Sequence, residues 1–313
     1  MKKSLPKLGF PEPTHSEEIL RHIVGIQVPI DLSKSHRESS GRMADAEIAT
    51  GIVVSIFEQW FLISAGHLVN DLHRRHQLGD RILTCRLITL ANSESDVPPI
   101  QFGLFDPESP TFLNADLIAL AIDKDGLDCL VVPVTNGLRD LLELRGIQAL
   151  HESTWRQPPT RPDIHYLAGV SSSLAQIDEE TNAGQVTVGM RLIAPIVPIY
   201  PTNEPPAKLI KPIERLFFLL PKVSGHSDGK PRQFDHPGGM SGGPIIAACV
   251  TNENVMQLCL IGIQSSWDEG TRVIAATPWP LVVHVVEKMI EMWKNSFESI
   301  PTLSPTAISV ELP

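Results

Sequence analysis

The chain has 313 residues, 42% hydrophobic and 20% charged, which is the composition of an ordinary globular protein with one large domain or two smaller ones. Its 36 acidic against 26 basic side chains give a net charge of −10, which argues against a nucleic-acid partner. No apolar run approaches the roughly 20 residues of a membrane-spanning helix, so we expect no membrane partner either.

Short apolar segments separated by Gly, Pro and Asn run through most of the chain, which is typical of an all-β barrel or sandwich. Residues 1–20 are interrupted by prolines, and we interpret them as a flexible arm rather than a secretory signal. Residues 21–135 hold a first set of strands, and residues 136–277 hold a second. An apolar spacing near 3.6 predicts a helix over residues 278–297. The tail, residues 298–313, is predicted to be disordered.

The sequence gives little reason to expect a disulfide, a metal or a cofactor. Four cysteines are too few for a disulfide scaffold, and we expect them to be reduced in a cytoplasmic protein. His73 and His76 have helical i, i+3 spacing, but no nearby Cys or acidic residue completes a zinc site. The segment "DKDG" at 123–126 lacks the distal glutamate of a calcium loop and favours a turn.

The segment "GGMSGGPII" at 238–246 places four glycines around Ser241. A serine hydroxyl attacks a carbonyl only if a base removes its proton and donors meet the developing oxyanion. Glycine on both sides allows a sharp turn in which the N–H groups of Gly239 and Ser241 converge on one point. The alternative for this segment is an ordinary glycine-rich hairpin turn.

Two residues are candidates for the base and for the carboxylate that orients it. Among 11 histidines, His67 ends an apolar strand where a helix begins, in "WFLISAGHLV". Asp116 precedes the apolar strand in "NADLIALAID", where a buried carboxylate could hold the imidazole in one tautomer. The alternatives are an ordinary histidine at the edge of a barrel and an ordinary turn aspartate.

The three candidates occur in the order His, Asp, Ser, which is the order of chymotrypsin and not of subtilisin or the α/β-hydrolases. Four segments resemble the trypsin/chymotrypsin-like serine protease family. "LISAGHLV" is similar to the family's "TAAHC", "DLIAL" to its aspartate segment, "GMSGGP" to "GDSGGP" and "GIQSSW" to "GIVSWG". The resemblance spans about residues 20–295 and implies an all-β fold of two antiparallel six-stranded β-barrels, with the active site between them.

The resemblance also implies roles for the candidate residues. His67 and Asp116 of the first barrel and Ser241 of the second would form a catalytic triad. The N–H groups of Gly239 and Ser241 would form the oxyanion hole.

Further residues are implied in substrate binding. Ser265 would lie beside Asp116 and orient it, and the backbone of Ser265, Ser266 and Trp267 would pair with an extended substrate. Asp235, shortly before the nucleophile, would line the primary specificity pocket and select arginine or lysine. The alternative is a loop that runs differently and leaves Asp235 in solvent.

The sequence departs from secreted members of the family at two positions. Met240 stands where digestive enzymes carry the aspartate that pairs with a newly cut N-terminus. Leu68 stands where they carry a disulfide-forming cysteine. The segment "IVG" at 23–25 is therefore predicted to be part of the first strand rather than a cleavage site. Both departures are typical of an intracellular bacterial-type trypsin-like peptidase.

The function that these patterns predict is that of a serine endopeptidase, with a protein or peptide as its substrate. A regulatory protein partner is a further possibility, because no pro-segment is visible. The alternatives are a catalytically inert binding module on a protease-like fold and a serine esterase that uses the same triad.

Overall fold

The structure is a computed structural model. It describes the following residues: 13–42, 44–90, 99–102, 119–122, 127–155, 162, 164–182, 185–225, 231–234, 236–250 and 256–297. The predicted site residues Asp116 and Asp235, and the predicted tail 298–313, lie outside the described residues.

The described part of the chain is mostly β, and its first half forms one antiparallel sheet. Its strands are β1 (Ile23–Asp31), β2 (Ala44–Ile56), β3 (Gln59–Ser64), β4 (Arg81–Ile82), β5 (Cys85–Thr89), β6 (Ile100–Phe102), β7 (Ala119–Ile122) and β8 (Asp128–Pro133). They lie in the order β6-β5-β1-β2-β3-β8-β7, and β4 pairs with β1. This path does not close on itself within the described residues, so the first predicted barrel is seen here as an open sheet.

The described strands of the second half are β9 (Ile164–Ala168), β10 (Ser171–Asn182), β11 (Gln185–Ile193), β12 (Ile196–Pro201), β13 (Leu216–Leu219), β14 (Val223–Gly225), β15 (Pro231–Gln233), β16 (Pro244–Val250), β17 (Met256–Asp268) and β18 (Val273–Pro278). Six of them form a closed barrel. The ring runs β13-β18-β17-β16-β9-β12 and returns to β13 through the pairing of Tyr200 with Leu219. The hairpin β10-β11 is separate from the ring. A closed barrel leaves no free edge among its own strands.

Five α-helices lie in the described part of the chain. They are α1 (Pro13–Leu20), α2 (Lys34–Ser40), α3 (His67–Gln77), α4 (Asn136–Leu144) and α5 (Trp279–Phe297). No helix in the described ranges combines the length and apolar character that crossing a membrane requires.

The N-terminal segment differs from its prediction as a flexible arm. Residues 13–20 form α1, in which Ile19 and Leu20 are buried against Tyr166 and Ala168 of β9. Burial of two large apolar side chains against the second barrel explains why this part of the arm is held in place. The "IVG" segment is confirmed as the start of β1, and Ile23 is fully buried.

A core cluster joins the two halves of the molecule. Within it, Trp155 and Trp279 meet edge to face, with their ring centroids 5.8 Å apart. The cluster contains buried side chains from β2, β3, β8, β17 and α5, namely Ile52, Val54, Ile56, Phe61, Ile63, Cys129, Val131, Leu260, Ile263, Val282, Val286 and Met289. Because this cluster packs β3 and β8 against β17, the end of β3 lies close to the strand that carries Ser265.

Candidate active site

The loop that carries Ser241 is shaped by two glycines with left-handed backbone. Gly239 has φ of 84° and Gly242 has φ of 86°, a region that residues with a β-carbon rarely adopt. The turn closes with the Gly243 N–H donating to the Met240 carbonyl at 2.7 Å. Met240 is fully buried in the core of the second barrel. The loop is therefore anchored by a backbone hydrogen bond and by a buried apolar side chain.

Gly242 also brings the loop into direct contact with the first half. A β-carbon on Gly242 would lie 2.2 Å from the Thr50 carbonyl oxygen and 2.7 Å from the Ala65 nitrogen. On the other side, the Gly242 N–H donates to the Gln264 carbonyl at 2.8 Å. The loop that carries Ser241 thus lies between β17 and the segment directly before His67, in contact with both.

Thr50, on β2, holds this contact with hydrogen bonds. Its backbone N–H donates to the Ser241 carbonyl at 2.9 Å, and its Oγ1 donates to the Gly239 carbonyl at 2.8 Å. Oγ1 also accepts from the Val170 N–H at 2.9 Å, and the Thr50 carbonyl accepts from the Ser64 hydroxyl at 2.7 Å. Thr50 is fully buried, so each of these bonds forms away from water.

His67 is the first residue of α3 and is gripped at two points by Asp128. The His67 N–H donates to Asp128 Oδ1 at 2.8 Å, and Nδ1 lies 2.7 Å from Oδ2. A carboxylate at this distance assigns the proton to Nδ1, which leaves the Nε2 lone pair of the neutral ring free to accept a proton. The His67 side chain is 35% exposed and that of Asp128 is 16% exposed.

The electrostatic surroundings of His67 favour its charged form. Burial by itself lowers the pKa of His67, but the hydrogen bond and charge of Asp128, with smaller contributions from Asp71 and Glu47, raise the pKa above its ordinary value of 6.5. Asp128 therefore stabilises the charged, imidazolium form of His67.

Sequence reasoning missed Asp128. Asp128 is the first residue of β8 and precedes an apolar segment, just as Asp116 does earlier in the sequence. The strands β7 and β8 are antiparallel neighbours, and Ile122 pairs with Asp128. Because β8 also pairs with β3, with Leu130 opposite Ser64, the start of β8 lies beside the start of α3. The signal available in the sequence was an aspartate directly before "CLVV", the same pattern that pointed to Asp116.

Two N–H groups in the loop are uncommitted. Within the described part of the chain, neither the Gly239 N–H nor the Ser241 N–H donates to any acceptor. A hydrogen bond between Ser241 Oγ and His67 Nε2 is likewise absent from those that the described residues form. Unliganded sites often hold this last contact loosely.

The strand predicted to bind substrate lies beside the loop that carries Ser241. The pairing of β16 with β17 stops at Pro244 opposite Ile263, and residues 264–268 keep only β18 as a strand neighbour in the described structure. The Ser265 hydroxyl donates to the Ala275 carbonyl at 3.1 Å and accepts a hydrogen bond from Arg215. Its predicted contact with Asp116 falls outside the described residues.

Asp235, predicted to line a specificity pocket, lies outside the described residues. Its neighbour His236 is exposed, and its ring packs edge-on against Trp267 with the centroids 4.6 Å apart. The His236 Nδ1 accepts a hydrogen bond from the Gly238 N–H at 2.8 Å. The ring of His236 therefore contacts the side chain of Trp267 near the end of β17.

No protein-family model matches the sequence, and no curated protein matches it. The fold is similar to that of solved proteases at low identity. One is the Rv3671c protease from M. tuberculosis in its active form, with 10% identity, 92% of each chain covered and a TM-score of 0.42. The thermostable serine protease AL20 from an extremophilic microorganism has 12% identity, covers 84% of this chain and 93% of its own, and has a TM-score of 0.40.

The catalytically active tobacco etch virus protease complexed with product is a third similar structure. Its identity is 12%, the coverage is 95% of this chain and 87% of that one, and the TM-score is 0.40. At this level of similarity, function has to be inferred from the chain's own residues.

Replacing Gly242 with alanine tests the close contact of the Ser241 loop with the first half of the molecule. We expect Gly242→Ala to lower the free energy of unfolding by about 3 kcal/mol and to abolish activity, because its β-carbon overlaps the Thr50 carbonyl and its φ is positive. The matched control is Gly137→Ala in α4, where nothing lies within 4 Å, and it should raise stability by about 0.5–1 kcal/mol. Chemical denaturation measures both, and a Gly242→Ala protein as stable as wild type would contradict this close contact.

The pH dependence of activity tests the environment of His67. Because the base must be neutral, a pKa raised above 6.5 moves the acid limb of the kcat/KM profile to a pH above 6.5. The same shift makes the His67 contribution to folding stability complete below pH 6.5 and lost as the pH rises through the folded-state pKa. Profiles of kcat/KM and an NMR titration of the ring would give the value. A limb below pH 6.5 would show that Asp128 does not act on the ring as described.

Proposed function

We propose that this chain is a serine endopeptidase in which Ser241 is the nucleophile, His67 the general base and Asp128 the residue that orients it. The observation that carries the proposal is the pair of hydrogen bonds that Asp128 forms with the backbone N–H and the ring of His67. These hydrogen bonds fix the tautomer that a base needs. The loop that carries Ser241 is hydrogen-bonded to the same half of the molecule through Thr50.

The chemistry follows from these positions. Ser241 Oγ attacks the carbonyl carbon of the scissile bond while His67 Nε2 takes the hydroxyl proton, and the carbonyl π electrons move onto oxygen. The N–H groups of Gly239 and Ser241 bind that oxyanion. The intermediate collapses to an acyl-enzyme as the C–N bond breaks and His67 gives its proton to the leaving amine. Water, deprotonated by His67, then releases the acid and restores Ser241.

A cysteine nucleophile is disfavoured by the environment of the thiols. Burial raises the pKa of Cys85 and of Cys129 to about 12, and burial together with the nearby Cys249 raises the pKa of Cys259 to about 11, so these groups stay protonated. All four cysteines are free, and none takes the place of Ser241 between the glycines.

An extended protein or peptide suits the open side of β17. Among the described strands, residues 265–267 have a neighbour on one side only, and a peptide adding on the other side would gain main-chain hydrogen bonds. This favours an endopeptidase over an esterase, which has no use for such an edge. The selection of arginine or lysine by Asp235, restraint by a regulatory protein and a cytoplasmic location stay predictions.

Labelling of the nucleophile separates an active enzyme from an inert binding module. A fluorophosphonate probe should label the wild type and the control Ser39→Ala, whose serine is exposed on α2, but not Ser241→Ala. Parallel assays with casein and a nitrophenyl ester then distinguish a protease from an esterase. An unlabelled wild type would favour the inert module.

The identity of the triad carboxylate is tested by a matched pair of variants. Asp128→Asn should lower kcat on the order of 10⁴-fold, as expected when a triad aspartate becomes an amide and the imidazole loses its orienting acceptor. Asp116→Asn serves as the comparison and should stay within a few-fold of wild type. Both are measured with the same peptide or ester substrate. The reverse pattern would return the role to Asp116.

A further inference from the structure

Arg215 is a buried cation beside the strand proposed to bind substrate. It is 8% exposed, and its Nη2 donates to the hydroxyls of Ser265 and Ser266, the latter at 3.0 Å. Its Nη1 lies 3.5 Å from the Leu209 carbonyl oxygen. Its Nε is buried and has no hydrogen-bond partner.

The position of Arg215 in the barrel directs this charge toward the active site. It directly precedes β13, which pairs with β18, and its guanidinium reaches across β18 to hydroxyls on β17. From β18 itself, the Thr277 hydroxyl donates to the carbonyl of Asp128 at 3.4 Å. The guanidinium therefore lies in the same region as the carboxylate that orients His67.

No carboxylate in the described part of the chain forms an ion pair with Arg215. By contrast, Lys208, which lies a few residues before Arg215 in the sequence, forms an ion pair with Asp268 at the end of β17. Burial lowers the pKa of Arg215 and the negative charge of Asp128 partly offsets this, but a guanidinium stays charged in either case. A buried charge with only neutral partners is costly, and a ligand carboxylate would remove that cost.

We propose that Arg215 binds the carboxylate of an acidic side chain in the substrate strand that lies along residues 265–267. This inference rests on the proposed function and adds a substrate preference to it. The remaining N–H group on Nη1 can donate to an oxygen of that carboxylate, and the full charge of the guanidinium strengthens this hydrogen bond. A glutamine of the same size offers one neutral acceptor, so the site distinguishes Glu from Gln by charge rather than by shape.

A peptide series tests the preference. Octapeptides that carry Glu or Gln at one position at a time are compared by kcat/KM with the wild type and by calorimetric binding to Ser241→Ala, which needs no turnover. At one position, Glu should exceed Gln by about tenfold to a hundredfold, the strength of a hydrogen bond to a charged group. Arg215→Met should reduce that ratio to near one. The control Lys208→Met, which removes a cation already paired, should keep the ratio.

Each outcome decides between the two proposals. Cleavage and fluorophosphonate labelling with a Glu-to-Gln ratio near one at every position would overturn the role of Arg215 and leave the peptidase standing. Glu-selective binding to Ser241→Ala without any turnover by the wild type would support Arg215 and overturn the peptidase. An Arg215→Met protein that keeps the ratio would also overturn the inference. If Arg215→Met does not fold, the wild-type ratio decides, together with a reduced ratio in Ser266→Ala, which loses a hydroxyl that holds the guanidinium.

Discussion

One buried threonine connects the two halves of the molecule at the point where the chemistry is proposed. Thr50 of β2 donates through its backbone to Ser241 and through its side chain to Gly239, and it receives the hydroxyl of Ser64 on the neighbouring strand. These bonds tie the serine loop of the second half to the strand pair that leads to His67. The position of the Ser241 loop relative to His67 therefore depends on its contact with β2 as much as on the core between the two halves.

This contact explains why the serine loop is so rich in glycine. The chain gives up the conformational freedom of four glycines on folding, which is unfavourable. Without a β-carbon at Gly242, the loop backbone approaches Thr50 and Ala65 more closely than a side chain would allow. At this distance, the carbonyl groups of Gly239 and Ser241 accept hydrogen bonds from Thr50. A turn that only reversed the chain would not need this proximity. The glycines of this segment are therefore explained by the contact between the two halves, and not by the turn alone.

The candidate residues that could be selected from the sequence are those with a distinctive local pattern around them. Ser241 lies between glycines, and His67 lies at a strand-to-helix junction, and both positions are local patterns. Asp128 could not be chosen in this way, because two aspartates each precede an apolar strand and only the pairing of β8 with β3 brings one of them to His67. Arg215 belongs to no motif at all. Its position becomes apparent only when β13, β18 and β17 are placed side by side, since strand order is a long-range property.

The charges of the site act at short range against the field of the whole protein. The chain carries a net charge of −10, which repels an acidic peptide during approach. At physiological ionic strength that field is screened beyond about 8 Å, so an acidic substrate is discriminated only on contact. A guanidinium held behind Ser265 and Ser266 suits this situation, because its interaction with a carboxylate develops once water has left. Recognition of this kind slows dissociation more than it speeds association, and it rejects a neutral substrate by leaving the buried cation unpaired.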